Sequence, residues 1–226
     1  MPVTSGDLAI VDRLALAPLF VAADVTAAGW EEIGTNSARG GGVSNNDGQS
    51  QSPGLALDTL DNPVVVWQDR PFNGDAEIYL KAWTGSGWQA LGGSDSAGGL
   101  SDNGGDSLNP SLVLDGDDLP IVAWEDRTIG NAEIYIKRWD GMTWAPIGTG
   151  SGSGGGLSSN MGESRNPSLT LDGDHAVVAW EDMTSGNAEI YLKRWGEDSW
   201  EQLADSATDG GISANSAASE TPVVAV

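Results

Sequence analysis

Acidic side chains recur at fixed places in the sequence, and paired carboxylates are a common apparatus for general acid and base catalysis. They follow short apolar runs, with another glutamate seven or eight residues later. The set comprises Gln68-Asp69, Glu125-Asp126 and Glu181-Asp182, followed by Glu77, Glu133 and Glu189. A catalytic pair needs two carboxylates in unlike environments so that their pKa values separate, whereas repeated copies predict like environments. We therefore expect no enzyme, and expect Asp69, Asp126 and Asp182 to accept hydrogen bonds from serine and asparagine in adjoining loops.

Tryptophan is the second residue type with chemical potential, because an indole face can stack on a sugar ring. All 10 tryptophans fall into three columns when the chain is aligned with itself. The columns are Trp67, Trp124 and Trp180; Trp83, Trp139 and Trp195; and Trp30, Trp88, Trp144 and Trp200. A fixed position in every copy is typical of core packing, which we predict for the first column. In the third column, Trp88, Trp144 and Trp200 are candidate ligand platforms.

Glycine-rich connections supply the third candidate set. Four of them share Gly-Gly, an aliphatic residue, serine, one variable residue and asparagine, and such length marks either a functional loop or a structural Ω-loop. The asparagines are Asn46, Asn103, Asn160 and Asn215. Their amides could bind a sugar hydroxyl or Ca²⁺, or could cap their own turns, which is the commoner use of asparagine in such loops.

Few residues of the sequence are suited to binding a metal ion or a cofactor. The sequence has no cysteine and one histidine, so a zinc site or a histidine-based triad cannot be built within one chain. Weak Ca²⁺ candidates occur in two acidic turns, namely Asp115, Asp117, Asp172 and Asp174. These turns lack the spacing of an EF-hand loop and read first as hairpins. We expect no cofactor, with Ca²⁺ left open.

The elements that must position these side chains are strands of a repeated unit, best seen in Asn109 to Gly148. Alternation and turn residues predict four strands, A to D. Their expected bounds are Ser111 to Asp115, Pro120 to Glu125, Ala132 to Trp139 and Thr143 to Ile147. The first tryptophan column recurs at steps of 57 and 56 residues. A four-stranded meander repeated at constant period predicts an all-β propeller.

We predict a single domain over residues 1–226 with four blade equivalents. Complete blades are expected at 53–91, 110–147 and 167–203, and a split blade takes degenerate strands B, C and D from 1–34 and strand A from 221–226. Within 1–34, LAIVDR from Leu8 to Arg13 resembles strand B. Closure of the split blade within one chain is the simpler geometry, and donation of strands to a neighbouring molecule is the alternative.

The blade sequence also resembles a known group. The runs NPSLVLDG, IVAWED and GNAEIYIKRWDGMTW are similar to blades of bacterial, mostly extracellular β-propellers of the sialidase-repeat or Asp-box kind, over about three quarters of the chain. Such blades serve hydrolases, lectins and adhesins, so the resemblance implies a blade and not a function. Asp140 to Trp144 is one residue shorter than the Asp-box, and sialidase chemistry would need a tyrosine and arginines in one pocket, whereas Tyr79, Tyr135 and Tyr191 share one repeat position.

Charge limits the partners. The net charge of −23 opposes attraction to phosphate backbones and anionic lipid, so we expect neither nucleic acid binding nor membrane insertion. Leu14 to Ala23 makes an unconvincing signal peptide because Asp7 and Asp12 precede it. The function expected is a non-catalytic extracellular or cell-surface module, structural, adhesive or self-associating into a fibre or oligomer by strand exchange. The alternative is a lectin with repeated sites between blades.

Overall fold

A computed structural model describes Gly29 and residues 31–225, and these residues form three four-stranded antiparallel sheets without any helix. Each sheet is a meander whose spatial order follows the chain, so each is one propeller blade. The first blade contains β1 (Gln49–Leu57), β2 (Pro63–Arg70), β3 (Glu77–Trp83) and β4 (Trp88–Gln89). The second contains β5 (Ser107–Leu114), β6 (Pro120–Asp126), β7 (Glu133–Trp139) and β8 (Trp144–Pro146). The third contains β9 (Ser164–Asp172), β10 (His175–Asp182), β11 (Glu189–Trp195) and β12 (Trp200–Glu201).

The predicted all-β propeller is confirmed, with one systematic difference at strand A. The sequence starts that strand at Ser111, yet β5 begins at Ser107. Asn109 has a left-handed backbone (φ 51°), which opens a bulge between Leu108 and Ser111 without ending the ladder. The equivalent residues Ser52 and Asn166 have φ values of 50° and 49°. The turn-like residues before each proline therefore lie inside the strand.

The core lies between consecutive blades. Trp124 and Tyr135 of the second blade pack on Val66, Ile78 and Leu80 of the first, and all five side chains are buried. The β6 strand is buried along its full length, as its continuous apolar run predicts for a strand covered on both faces. Trp180 and Tyr191 repeat the arrangement by packing, in the third blade, on Ile134 and Ile136 of the second.

The other two tryptophan columns also hold blades together. A Cβ built on Gly148, at the end of the second blade, would lie 2.5 Å from Cζ3 of Trp195 in the third. Trp139 approaches Gly92, and Trp83 approaches Gly34, in the same way. In the third column, indole Nε1 donates to a carbonyl of the preceding blade end at 2.7–3.0 Å. These bonds join Trp88 to Ile33, Trp144 to Leu91 and Trp200 to Ile147.

Residues at both ends of the three-blade stack occupy positions of a further blade. Thr221 has the φ of the bulge position (54°), and its N–H donates to Oε1 of Glu181 at 2.5 Å, as Asn109 N–H donates to Gln68 at 2.7 Å. The segment 221–225 thus repeats contacts made by β5, but it joins no sheet within the described residues, and the split blade stays a prediction. At the other end, Ile33 and Gly34 contact Trp88 and Trp83 where a strand D would end.

The rest of the split blade lies outside the described residues. This applies to the predicted strands B and C, to Trp30 and to Val226. Within the range that is described, no helix is long and apolar enough to cross a membrane.

Candidate functional site

Each repeated aspartate anchors the loop that enters its own blade. Asp126, which is buried, accepts hydrogen bonds on Oδ2 from Asn103 Nδ2 (2.5 Å), Ser107 Oγ (3.1 Å) and Trp124 Nε1 (3.0 Å). Asp182 binds Asn160, Ser164 and Trp180 in the same way, and Asp69 binds Asn46 and Ser50. A carboxylate that accepts several hydrogen bonds is well satisfied when buried. The side-chain amides of Asn46, Asn103 and Asn160 are therefore hydrogen-bonded to these carboxylates, although Asn46 is exposed and the other two are half-buried.

Asn215 differs from its three counterparts. Its Nδ2 donates to Ser219 Oγ at 2.9 Å, and within residues 31–225 no aspartate takes the place that Asp182 has beside Asn160. The aspartate of that position belongs to strand B of the next blade. Asn215 and Ser219 therefore lie at an uncompleted copy of the same junction.

The repeated glutamates anchor the same loops to the preceding blade. Ser101 Oγ donates to Glu77 at 2.5 Å and accepts from the N–H of Ile78, so the loop is held on β3. Ser158 on Glu133 repeats this at 2.5 Å, and Ser213 donates to Glu189. The two loops that join described blades therefore each bind a glutamate of the blade they leave and an aspartate of the blade they enter.

These three glutamates have unlike environments, contrary to the equivalence expected from the repeat. Burial raises the pKa of Glu77 to about 7, opposed by the hydrogen bond from Ser101, and burial also raises the pKa of Glu133. The pKa of Glu189 lies below its usual value because the hydrogen bond from Ser213 outweighs desolvation. All three side chains are buried, and Glu189 differs in that no further sheet of the described residues follows its blade. Sequence copies therefore do not imply equal ionisation, which removes the argument used against catalysis.

A polar cleft of about 760 Å³ lies between the second and third blades. Four aspartates line it on the side of the hairpin turns, together with one arginine and one tryptophan: Asp115, Asp117, Asp140, Asp174, Arg138 and Trp195. Arg138 Nη2 is 2.6 Å from Asp115 Oδ2. Backbone N–H groups of Thr143 and Met142 bind Asp140 and hold its pKa below the usual value, so it is ionised. The cleft thus offers many acceptors and one planar donor.

One substitution between repeats removes a bridging contact at the edge of this cleft. Between the first and second blades, Thr59 donates from N–H (2.9 Å) and Oγ1 (2.6 Å) to the carboxylate of Asp118. The corresponding residues of the next junction are Gly116 and Asp174, and glycine has no hydroxyl to form the bridge. Asp174 is exposed and lines the cleft. The third acidic turn is also one residue shorter than the second.

A second cavity, of about 610 Å³, lies beside the glycine-rich loop at the same junction. Its lining includes Lys193, Asp198, Trp195 and Trp200. Trp195 lines both cavities, and it packs edge to face with Trp200 at 5.5 Å between ring centroids and 64° between planes. A tryptophan pair therefore stands between two polar spaces.

The residues that the sequence proposed as ligand-binding fall into two groups, those that line a cavity and those that make contacts within the protein. Trp200 lines a cavity, while Trp88 and Trp144 are present as links to the preceding blade. The acidic turns hold themselves together: Asp115 Oδ1 accepts from the N–H groups of Asp117 and Leu119, and Asp172 pairs with Arg194. In the described part of the chain, no group of three or more acidic, histidine or cysteine side chains could hold a metal ion. Ca²⁺ binding stays a prediction.

Sequence reasoning missed the cleft and the roles of Arg138 and Trp195. Both residues occupy repeat positions, and this favoured a structural interpretation. The sequence signal that could have indicated the cleft was a difference between repeats. Gly116 occupies the repeat position of Thr59, and the third acidic turn is one residue shorter than the second. Departures from a repeat are where a site unique to one junction can arise.

Comparison by sequence returned nothing: no protein-family model matches the chain, and no curated protein matches it. The resemblance to sialidase-repeat or Asp-box blades therefore has no support as a family relationship.

Comparison by structure returned proteins of low identity. One is a glycosyl hydrolase from Bacteroides ovatus, with 13% identity, a TM-score of 0.48 and coverage of 73% of this chain and 51% of that one. Another is the α-L-arabinofuranosidase Arb93A from Fusarium graminearum, with 11% identity, a TM-score of 0.48 and coverage of 70% and 48%. A third is a fucose lectin from Kordia zhangzhouensis, with 14% identity, a TM-score of 0.43 and coverage of 67% and 97%. The chain spans about half the length of the two enzymes.

These structures correct one expectation. Glycoside hydrolases and an endo-arabinase stand among the similar structures, beside a lectin, and this contradicts the expectation that the protein is not an enzyme. The unlike environments of Glu77 and Glu189 show the physical error, which was to infer equal chemistry from equal sequence. No activity follows for this chain from so distant a likeness.

Proposed function

We propose that the protein binds carbohydrate at the junction of the second and third blades. The observation that carries the proposal is the Trp195–Trp200 pair with a polar cavity on each side. A sugar ring has apolar C–H faces, which suit an indole, and peripheral hydroxyls, which suit carboxylates and a guanidinium. Sites of this kind combine an apolar platform with a few placed polar groups. An extracellular or cell-surface location is part of this proposal.

The charge of the cleft selects among sugars. Asp115, Asp140 and Asp174 face one arginine, which is already paired with Asp115. A uronic or sialic acid would bring a further negative charge to this surface, so we propose neutral or amino sugars as the ligand class.

The test is a glycan array with neutral, amino and acidic glycans, with and without Ca²⁺, followed by calorimetry on any hit. Gly116→Thr is the decisive variant, because a threonine there can bridge to Asp174 as Thr59 bridges to Asp118. The only neighbour within 4 Å of a Cβ at Gly116 is Asp174 Oδ1, at 3.9 Å, so the variant is accommodated. We expect at least tenfold weaker binding with unchanged thermal stability.

The matched control is Thr59→Gly, which opens the other junction and leaves the cleft intact. Binding unchanged by Gly116→Thr, or absence of binding to every glycan on the array, contradicts the proposed site.

A second candidate function is self-association, favoured by the two uncovered ends of the blade stack. Leu55 and Leu57 of the first blade are 64% and 55% exposed, whereas Leu169, the counterpart of Leu55, is 6% exposed under the second blade. At the far end, Ile212 is 59% exposed where Leu157 is 4% exposed. Uncovered apolar faces of this kind favour assembly. Mass measurement across a hundredfold concentration range and electron microscopy test it, and a monomer at every concentration opposes it.

A further inference from the structure

The end of the third blade is shaped to receive one more strand B. Ile190 and Leu192 are half-buried there, whereas their counterparts Ile134 and Ile136 are fully buried beneath Trp180 of the next blade. The segment 221–225 already lies along this end as a strand A without a partner among the described residues. We call residues 190, 192, 212 and 215 together with 219–225 the strand seat.

The seat carries polar groups that specify what enters it. At the completed junction, Asn160 and Ser164 both donate to the carboxylate of Asp182. Asn215 and Ser219 have the same places in the seat and keep the bond between asparagine and serine, at 2.9 Å against 3.2 Å for Asn160 and Ser164, without a carboxylate among the described residues. A matching strand must therefore bring a carboxylate opposite Ser219, since Ser164 lies opposite Asp182 in the ladder.

The pattern of strand B adds an apolar requirement. Trp180 precedes Asp182 by two residues and Val178 precedes it by four, and both side chains point into the preceding blade. Leu8 to Arg13 reads LAIVDR, which places Ile10 two residues and Leu8 four residues before Asp12. Transferring the register of β9 and β10 puts Asp12 opposite Ser219, Ala9 opposite Val223 and Leu8 opposite Val224.

We infer that the strand seat binds residues 8–13 of a second copy of this chain, with the Asp12 carboxylate on Asn215 and Ser219. This inference rests on the self-association proposed above and names its contact. A second copy is favoured because the described residues leave the stack open between its two ends, with Ile33 and Gly34 on the first blade and the seat on the third. No hydrogen bond joins 221–225 to β1 within the described range, and Leu55 on β1 is 64% exposed.

The resulting contact is head to tail. One copy offers its first-blade end, and the other offers its third-blade end. Such a heterologous contact forms a ring when the rotation closes and a filament when it does not. Main-chain pairing supplies affinity, while the carboxylate and the two apolar side chains fix the register.

Engineered disulfides test the inference directly, because the chain has no cysteine of its own. Directly opposed residues of antiparallel strands have Cα atoms about 4.5–5.5 Å apart, which suits a disulfide. Purified Ala9→Cys and Val223→Cys chains are mixed in equal amounts, oxidised and analysed without reductant. We expect a disulfide-linked heterodimer in at least fivefold excess over the control mixture of Ala9→Cys with Phe72→Cys. Phe72 is 95% exposed in the loop between β2 and β3.

Two further measurements separate the possible outcomes. Adding Asp12→Asn to the Ala9→Cys chain should reduce the heterodimer several-fold, whereas Asp7→Asn should not. A single chain carrying both cysteines, oxidised at high dilution, reports the source of the strand. An internal disulfide in the monomer would show that residues 8–13 occupy the strand seat of their own chain. That result overturns the inference of a second copy and leaves the strand seat supported.

Absence of any specific disulfide in both formats overturns the seat. If native protein associates in the mass measurement but the cysteine pair does not react, self-association stands and this contact is wrong. If native protein is monomeric at every concentration, the self-association proposal fails first, and the inference of a second copy fails with it.

Discussion

The six-membered ring of Trp195 rests on Gly148, so the third blade meets the second through a residue that has no side chain. A methyl group at Gly148 would lie 2.5 Å from Cζ3 and 2.8 Å from Cη2 of the indole. Gly148→Ala must displace the tryptophan or the turn, at a cost of about 2–4 kcal/mol in the free energy of unfolding. Urea denaturation followed by tryptophan fluorescence measures it.

Gly150 provides the matched control for that variant. Its φ is 83°, against 82° for Gly148, and nothing lies within 4 Å of a Cβ built there. Gly150→Ala therefore carries the backbone strain alone, about 1 kcal/mol. Equal losses of stability in the two variants would mean that the contact with Trp195 contributes nothing.

Trp124 and Trp67 occupy the same repeat position but differ in hydrogen bonding. Trp124 Nε1 donates to Asp126 at 3.0 Å, whereas Trp67 Nε1 is buried without a partner in the described structure. Replacement by phenylalanine removes a charge-assisted hydrogen bond in one case and an unsatisfied donor in the other. We expect Trp124→Phe to destabilise the protein by about 1–3 kcal/mol more than Trp67→Phe.

Chemical denaturation of the two variants, with Trp180→Phe as a repeat of the first case, checks this expectation. Trp180 Nε1 donates to Asp182 at 2.9 Å, so its variant should behave like Trp124→Phe. A Trp67→Phe loss as large as the other two would contradict the argument from the indole N–H.

Glu77 makes stability depend on pH near neutrality. Its pKa is about 7 in the folded protein, against 4.5 for an unperturbed glutamate. Between these values the folded state holds a proton that the unfolded state releases, so the free energy of unfolding falls as pH rises through the window. Glu77→Gln removes this pH dependence. We expect the free energy of unfolding of the variant, relative to that of the native protein, to increase by about 2 kcal/mol between pH 5 and pH 8.

Glu189→Gln is the counterpart with the opposite sign. The pKa of Glu189 is lowered, so its stabilising contribution is present above pH 4.5 and is lost only as pH falls further. The difference in stability between native protein and Glu189→Gln should therefore stay constant from pH 5 to pH 8. Thermal unfolding at four pH values measures both variants, and parallel pH profiles for the two would refute the raised pKa of Glu77.

The exposed side chain of Leu55 gives a test of self-association that is independent of the strand seat. Leu55 is 64% exposed on the end of the stack, so Leu55→Asp leaves the core intact and places a charge where a second molecule would pack. We expect the apparent dissociation constant of self-association to rise at least tenfold in sedimentation experiments.

Phe72→Asp is the control, because Phe72 is 95% exposed in the loop between β2 and β3 and not on β1. Equal effects of the two substitutions would indicate nonspecific contacts between apolar side chains.

Much of the fold could be predicted because the repeat converts every local signal into several copies. The bounds of β6 and β7 to within one residue, the turns and the burial of Trp124 follow from alternation and spacing. The bulge at Asn109 did not follow, because its left-handed backbone resembles a turn when read from sequence alone.

The candidate site was less accessible to such reasoning. The cleft lies where Gly116 has no hydroxyl that could bridge to Asp174, and the pKa of Glu77 is raised by burial. Both are properties of a junction between repeats. Comparing only the residues that the repeats share does not reveal these two properties.

The loops between blades also bear on how such a chain can change in length over evolution. Each loop that joins two described blades binds a glutamate behind it and an aspartate ahead of it, as Ser101 on Glu77 and Asn103 on Asp126 illustrate. A duplication cut at the edges of one sheet would separate a loop from one of its two partners. A duplication running from Gly98 to Gly154 would carry a whole loop with the sheet that follows it, so a unit that keeps loop and sheet together does not coincide with one sheet.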